Sequence, residues 1–103
     1  MRYTLTMSEL DKIKIILNKN KQALQKEFNV KRLGVFGSFV RGEQKKRSDV
    51  DILVEFKQTP GLFDYMKMEN RLSDLLKKKV DLVMKGSLKP AIGRSIMREV
   101  VYV

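Results

Sequence analysis

The sequence contains no cysteine and no histidine. Without cysteine, the chain can form no disulfide, no thiolate zinc site and no thiol nucleophile. Without histidine, it lacks the side chain that most often acts as a general base in enzymes. Any catalysis therefore has to depend on carboxylates, lysines, hydroxyl groups or bound metal ions.

Long apolar runs are also missing, since no segment approaches the roughly 18 apolar residues that a membrane-spanning helix needs. The first residues show neither the apolar stretch nor the small-residue cleavage site of a secretory signal. We therefore expect a cytoplasmic protein without a membrane partner. With 103 residues, 43% hydrophobic and 33% charged, the sequence predicts a single folded domain over residues 1–103.

Acidic residues are few beside the basic ones, 12 against 22, so the formal net charge is +10. This excess favours polyanionic partners such as nucleotide phosphates, RNA or an acidic protein surface. The basic residues are dispersed and do not form one tract with interleaved aromatics. RNA contact therefore stays open without a motif to support it, and a solvated basic surface is the alternative.

The apolar pattern predicts eight elements in the order α-β-(short α)-β-α-β-α-β. They are a helix from about Ser8 to Phe28, a strand at Val30–Phe36, a helical turn ending at Gly42, a strand at Val50–Phe56, a helix at Leu62–Leu76, a strand at Val80–Met84, a helix from Pro90 to about Arg98, and a terminal strand at Val100–Val103. This order indicates an α/β (α+β) fold, with helices packed on a small mixed sheet of three to four strands.

Two aspartates open the second strand. Side chains alternate along a strand, so Asp49 and Asp51 point to one face while Val50 points to the other. Two carboxylates so close repel one another unless a cation lies between them, and hard divalent cations such as Mg²⁺ prefer oxygen ligands. The alternative is a pair of solvated acids that cap a turn together with Ser48.

A third acid, Asp81, lies between two apolar residues of the next strand. If the two strands are adjacent, three carboxylates converge and can hold two metal ions, the arrangement used in phosphoryl chemistry. The alternative is an acid on an edge strand, paired with Lys79 or Lys85.

Gly37 and Ser38 follow the first strand and open the short helical turn. Glycine allows the backbone to approach a phosphate closely, and serine adds a hydroxyl donor. Arg41 lies one turn further on, within reach of a phosphate or a substrate. An ordinary turn with a serine N-cap, followed by a solvated basic loop, is the alternative.

Gly37-Ser38, then ten residues, then Asp49-Val50-Asp51, resembles the signature of the DNA polymerase β-type nucleotidyltransferase superfamily. The short length, the later Asp81 and the ending Arg98-Glu99-Val100-Val101-Tyr102-Val103 are similar to its minimal branch, the MNT proteins. The resemblance extends from about Lys31 to the C-terminus.

This resemblance implies a polymerase β-like nucleotidyltransferase fold and transfer of AMP from ATP with Mg²⁺. It implies that Gly37 and Ser38 hold the triphosphate, that Asp49 and Asp51 bind both metal ions, and that Asp81 binds one. Arg41 matches a position that is often basic. In the MNT branch the partner is commonly a HEPN-type ribonuclease toxin, which the MNT antitoxin modifies on a tyrosine.

Three other functions stay open at this point. The chain is alternatively a nucleotide-binding module that neutralises its partner by occlusion, a small-molecule nucleotidyltransferase, or an RNA nucleotidyltransferase. A homo-oligomer and a hetero-oligomer are both compatible with the sequence. A chain this short has no room for a second domain that holds the substrate, so we expect another protein to supply the acceptor.

Overall fold

The computed structural model describes residues 7–103, so the segment in which no signal sequence was seen lies outside the described residues. Its elements are α1 Glu9–Phe28, β1 Val30–Phe36, α2 Ser38–Arg41, β2 Val50–Phe56, α3 Leu62–Leu76, β3 Val80–Met84, a 3-10 turn Lys85–Ser87, α4 Pro90–Glu99 and β4 Val101–Tyr102. The predicted order is confirmed, and only the 3-10 turn was not predicted. Among residues 7–103, no helix combines the length and the apolar character needed to cross a bilayer.

The ends of α1 follow from local side-chain chemistry. The Ser8 side chain accepts a hydrogen bond from the Asp11 backbone N–H at 3.0 Å, as the capping spacing predicts. Asn29 ends the helix in the left-handed conformation, with φ of 56°. Asparagine tolerates this conformation better than most residues, so the chain turns there directly into β1.

The four strands form one mixed sheet in the order β3-β2-β1-β4. β1 pairs antiparallel with β2 and with β4, whereas β2 and β3 are parallel. A parallel pair needs a crossover connection, and α3 provides it. The register places Asp51 opposite Asp81 on β3 and opposite Phe36 on β1, so the acids lie at one end of the sheet.

Helices cover both faces of this sheet. One face packs against α1 and α3 through a core that includes Leu17, Ile52 and Leu72, all fully buried. The other face packs against α4, where Ile96 contacts a smaller cluster with Phe36 and Leu53. The α4 face is also the face of Asp51, because residues 51 and 53 alternate with residue 52.

Apolar residues at helical spacing in the sequence predict that α3 buries Leu62, Met66, Leu72 and Leu76, but its buried side differs. Leu62 is 71% exposed and Met66 is 49% exposed, while Met68 is fully buried beside Leu72 and Leu76. Residues 68, 72 and 76 follow the four-residue spacing of one helix face, and residue 66 lies nearly opposite residue 68. The first half of α3 has too many apolar residues to fit on one face, so the stripe could not be assigned by composition.

Met68→Ala is expected to lower the free energy of unfolding by about 2–5 kcal/mol, because it leaves a cavity in the larger core. Met66→Ala is the matched control and should change it by less than about 0.5 kcal/mol, as exposed substitutions usually do. Chemical denaturation of both variants measures the difference. Equal losses would show that the helix face has been assigned wrongly.

Candidate active site

Asp51 and Asp81 lie side by side on the parallel strands β2 and β3. Adjacent strands run about 4.8 Å apart, and residues in register project to the same face. The condition set by the sequence, that these two strands be neighbours, is met. The structure therefore brings together two of the three predicted acids on the α4 face of the sheet.

Asp49 lies just before β2, at the same end of the sheet. The Val50 N–H donates to the Lys79 carbonyl at 2.9 Å, which fixes this end of β2 against the start of β3. The Asp49 carboxylate is exposed and lies 3.9 Å from the Lys79 ammonium. Lys79 thus faces Asp49, and Lys85 lies 3.6 Å from Glu55. Neither lysine forms an ion pair with Asp81. The alternative for Asp81, an acid on an edge strand paired with one of these lysines, is therefore not observed.

The electrostatics of the three acids centre on Asp51. Burial raises the pKa of the Asp51 carboxyl, and the neighbouring charges of Asp81 and Asp49 raise it further. The Arg41 guanidinium opposes this shift, and Glu99 adds to it. We call Asp49, Asp51 and Asp81 the acidic triad. Within this triad, the charges of Asp49 and Asp81 disfavour ionisation of Asp51.

The side chains of the triad are also the candidate ligands of a metal ion. Within residues 7–103 no group of three metal-ligating side chains is close enough to enclose an ion. The chemistry of the triad nevertheless suits a hard divalent cation, because all its donors are carboxylate oxygens. Their mutual repulsion, which raises the pKa of Asp51, is the kind of interaction that such a cation relieves.

Asp51→Asn is expected to stabilise the fold at pH 7 without divalent cations. Like charges that face each other across two strands lower the free energy of unfolding by up to about 1 kcal/mol. Removing one of them should therefore raise the melting temperature of a domain of this size by up to roughly 4–8 °C. The pKa of Asp51 is raised above its ordinary value of 3.8, so the folded chain loses stability relative to the unfolded chain as pH rises above that value.

Thermal melts of the wild type and the variant between pH 4 and pH 7 test this expectation. The gain from Asp51→Asn should shrink as pH falls and wild-type Asp51 becomes protonated in the folded chain. A variant that melts below the wild type at pH 7 would show that Asp51 stabilises the fold.

Gly37 packs directly against the triad. It is buried, has φ of 83°, and caps the start of α2. A Cβ at this position would lie 3.0 Å from Asp51 Cγ and would collide with Asp51 Oδ2. Only glycine combines this conformation with so close an approach. Gly37 and Ser38, which we call the phosphate cradle, directly follow β1, and Gly37 lies beside Asp51. Because β1 and β3 flank β2, the cradle and Asp81 lie on opposite sides of Asp51.

Arg41, at the end of α2, is held by a residue that the sequence analysis did not assign. Its Nη1 donates to both carboxylate oxygens of Glu99 at 3.0 and 2.9 Å, and its Nε lies 3.3 Å from Glu43. Glu99 Oε1 also accepts the Gly37 N–H at 3.3 Å. In the sequence, Glu99 differs from its neighbours only in being the single acid of α4. Its contacts could not be predicted locally, because Arg41 and Gly37 lie 58 and 62 residues away in sequence.

Side chains of α3 hold the outer edge of β3 and so help to position Asp81. Ser73 Oγ accepts the Val80 N–H at 3.0 Å, and Glu69 accepts the Leu82 N–H at 2.8 Å. The Tyr65 hydroxyl donates to the Leu82 carbonyl. Tyr65 also packs against Phe56, with ring centroids 6.5 Å apart, and burial raises the pKa of its hydroxyl.

Two cavities of the described chain lie away from the triad. One of about 650 Å³ is lined by Val54, Phe56 and Met84, at the opposite ends of β2 and β3. Another of about 410 Å³ lies beside α4 and is lined by Leu88, Met97 and basic side chains. Asp49 and Asp81 are themselves exposed, so another molecule can reach this end of the sheet.

Comparison with known proteins gives a consistent assignment. The nucleotidyltransferase domain family matches residues 13–103. Protein adenylyltransferase MntA of Thermococcus cleftensis is 50% identical over 99 residues, which cover 96% of this chain and all of the relative.

Two solved structures show the same fold. One, of a protein assigned as a minimal nucleotidyltransferase, aligns with a TM-score of 0.70 and 28% identity over 95% of this chain and 98% of its own. Another is an AMPylated Shewanella oneidensis HEPN toxin in complex with its MNT antitoxin, with a TM-score of 0.66 and 20% identity over 87% and 70% of the two chains. This chain belongs to the nucleotidyltransferase domain family, in the minimal branch that contains the adenylyltransferase MntA.

Proposed function

We propose that this chain is a Mg²⁺-dependent protein adenylyltransferase that transfers AMP from ATP to a tyrosine hydroxyl of a HEPN-type toxin and so acts as its antitoxin. The observation that carries the proposal is the position of Asp51, which faces Asp81 on a parallel strand and packs against Gly37. The 50% identity to the protein adenylyltransferase MntA supports AMP transfer as the reaction. The AMPylated HEPN toxin in the Shewanella oneidensis complex supports a HEPN-type toxin as the acceptor.

In this reaction the acceptor oxygen attacks the α-phosphorus, and the bond from that phosphorus to the bridging oxygen of the β-phosphate breaks. Pyrophosphate leaves, and the acceptor loses its proton. In-line displacement depends mainly on positioning and charge stabilisation, so a chain without histidine can perform it. Asp81, whose side chain is exposed on the α4 face, accepts the proton that the acceptor hydroxyl loses.

The cradle residues Gly37 and Ser38 hold the triphosphate, and Arg41 neutralises part of its charge. Asp49 and Asp51 would each bind both Mg²⁺ ions, and Asp81 would bind one. When bound, these ions supply neutralisation of the charge that develops on the attacking and leaving oxygens. The negative charge of the ATP triphosphate is what Arg41 and the Mg²⁺ ions would neutralise.

The acceptor is supplied by another protein. Asp49 and Asp81 of the triad are exposed at one end of the sheet, apart from the two cavities described above. The net charge of +10 favours approach of acidic or phosphate-rich surfaces. Both features suit an enzyme that acts on a docked macromolecule.

The experiment is incubation of the purified chain with a HEPN-domain protein from the same organism and ATP labelled at either the α- or the γ-phosphate. We expect the partner to gain label from α-labelled ATP only, and a mass spectrum to show added AMP on a tyrosine. Label from γ-labelled ATP would indicate phosphoryl transfer. A tight complex without label from either ATP would show neutralisation by occlusion.

A further inference from the structure

Glu99 contacts both ends of the short helix that bears the phosphate cradle. Its carboxylate accepts the Gly37 N–H at the start of α2 and the Arg41 Nη1 at its end. The Glu99 side chain is only 21% exposed, so these bonds are partly shielded from water. One carboxylate thus joins the Gly37 backbone and the Arg41 guanidinium, the two groups that the proposed function assigns to the nucleotide.

The α2 turn needs such support. It has four residues, and its N-cap, Gly37, has no side chain to cap it. A single helical turn is not stable alone in water, because fixing its first residues costs more conformational entropy than one hydrogen bond returns. The Val40 and Arg41 N–H groups bond back to the Gly37 carbonyl at 3.1 and 3.2 Å, and the Gly42 and Glu43 N–H groups donate to the Ser38 carbonyl. These few bonds close a single turn. The conformation of α2 therefore depends on contacts from outside it.

The backbone of Glu99 is anchored to the sheet. The next residue, Val100, donates its N–H to Ile96 at 2.9 Å, and Val101 pairs with Val35 of β1. Gly34 of β1 lies so close beneath this junction that a Cβ there would come within 2.6 Å of Val100 Cγ2. Because the backbone next to Glu99 is fixed on the sheet, the Glu99 carboxylate can hold α2 in a fixed position relative to the sheet.

The bonds to Glu99 leave part of the Arg41 guanidinium available. Glu99 takes Nη1, and Glu43 lies near Nε. A guanidinium presents five N–H donors in a planar fork, so Nη2 remains to bind a phosphate oxygen. We propose that Glu99 is a positioning residue, which fixes Gly37 and Arg41 so that the cradle is formed before ATP binds. This inference rests on the proposed function for the identity of the nucleotide.

The first test uses the nucleotide-free protein and does not depend on activity. In hydrogen exchange, Glu99→Ala should speed exchange of the Val40 and Arg41 amides about tenfold, while the amides of α1 keep their rates. Glu43→Gln is the matched control, because it removes another carboxylate from Arg41 without touching Gly37. Unchanged exchange of Val40 and Arg41 in Glu99→Ala would overturn the inference.

The second test measures affinity for a non-hydrolysable ATP analogue with Mg²⁺. Glu99→Ala should weaken binding about tenfold, Glu99→Gln less, and Glu43→Gln by less than twofold, with melting temperatures close to the wild type. Tighter binding by either Glu99 variant would mean that Glu99 competes with phosphate, and would overturn the inference. Failure of the wild type to bind the analogue would refute the proposed function instead, and the exchange result would still decide the role of Glu99.

Discussion

Asp51→Asn is expected to lower the rate of AMP transfer by about 10³-fold, because losing a carboxylate of the proposed metal site would remove roughly 4 kcal/mol of transition-state stabilisation. The position of Asp51 explains the size of this effect. It faces Asp81 across the parallel strands and packs against Gly37, so it contacts both halves of the proposed site. Transfer of label from α-labelled ATP to the acceptor, measured at saturating ATP, gives the rate.

Asp74→Asn is a suitable control, because this exposed acid on α3 makes no contribution to the shift in the pKa of Asp51. It should transfer AMP at the wild-type rate. The loss in Asp51→Asn should accompany an unchanged or higher melting temperature, so that misfolding cannot explain it. Full activity of Asp51→Asn would refute the proposed metal-binding role of the triad.

Gly37→Ala is expected to reduce nucleotide binding and transfer by about 100-fold or more. The added Cβ would collide with the Asp51 carboxylate, in a backbone conformation (φ 83°, ψ −154°) that is essentially restricted to glycine and costs other residues about 1–3 kcal/mol. Either alanine or Asp51 has to move, and both movements separate the cradle from the triad. Binding of an ATP analogue and the transfer rate are the two measurements.

Gly42→Ala is the control for a positive φ without a collision. Gly42 has φ of 70°, against 83° for Gly37, but a Cβ there meets no atom within 4 Å. Gly42 lies in the left-handed helical region, which alanine adopts at a cost of about 1–2 kcal/mol, and only Gly37→Ala adds the collision. We expect Gly42→Ala to lose stability but to keep nucleotide affinity within a few-fold. Equal loss of affinity in the two variants would show that strain alone disrupts the cradle.

Local chemistry explains why much of the fold could be predicted from the sequence. The Ser8 cap and the left-handed Asn29 delimit α1, and Gly42 ends α2, as the residue types indicate. Strand alternation predicts that Asp49 and Asp51 share a face. In the structure β2 begins at Val50, and Asp49 lies close enough for its charge to raise the pKa of Asp51. The spacing of Gly37-Ser38 from these acids leaves room only for a short turn and a return strand, which the structure has.

What could not be predicted depends on contacts between distant parts of the chain. The sequence gives no sign that Glu99 reaches Gly37 and Arg41, because their contact arises only when β4 pairs with β1. The inward face of α3 was assigned wrongly because Met66 and Met68 are equally apolar. Only packing on the sheet decides which of the two is buried.

A crystal structure of this chain with a non-hydrolysable ATP analogue and Mn²⁺ tests the central claim most directly. We predict anomalous signal from the metal at the carboxylates of Asp49, Asp51 and Asp81, with the triphosphate on Gly37 and Ser38 and in contact with Arg41. Metal bound away from Asp51 and Asp81, or nucleotide bound at the far ends of β2 and β3, would contradict the account.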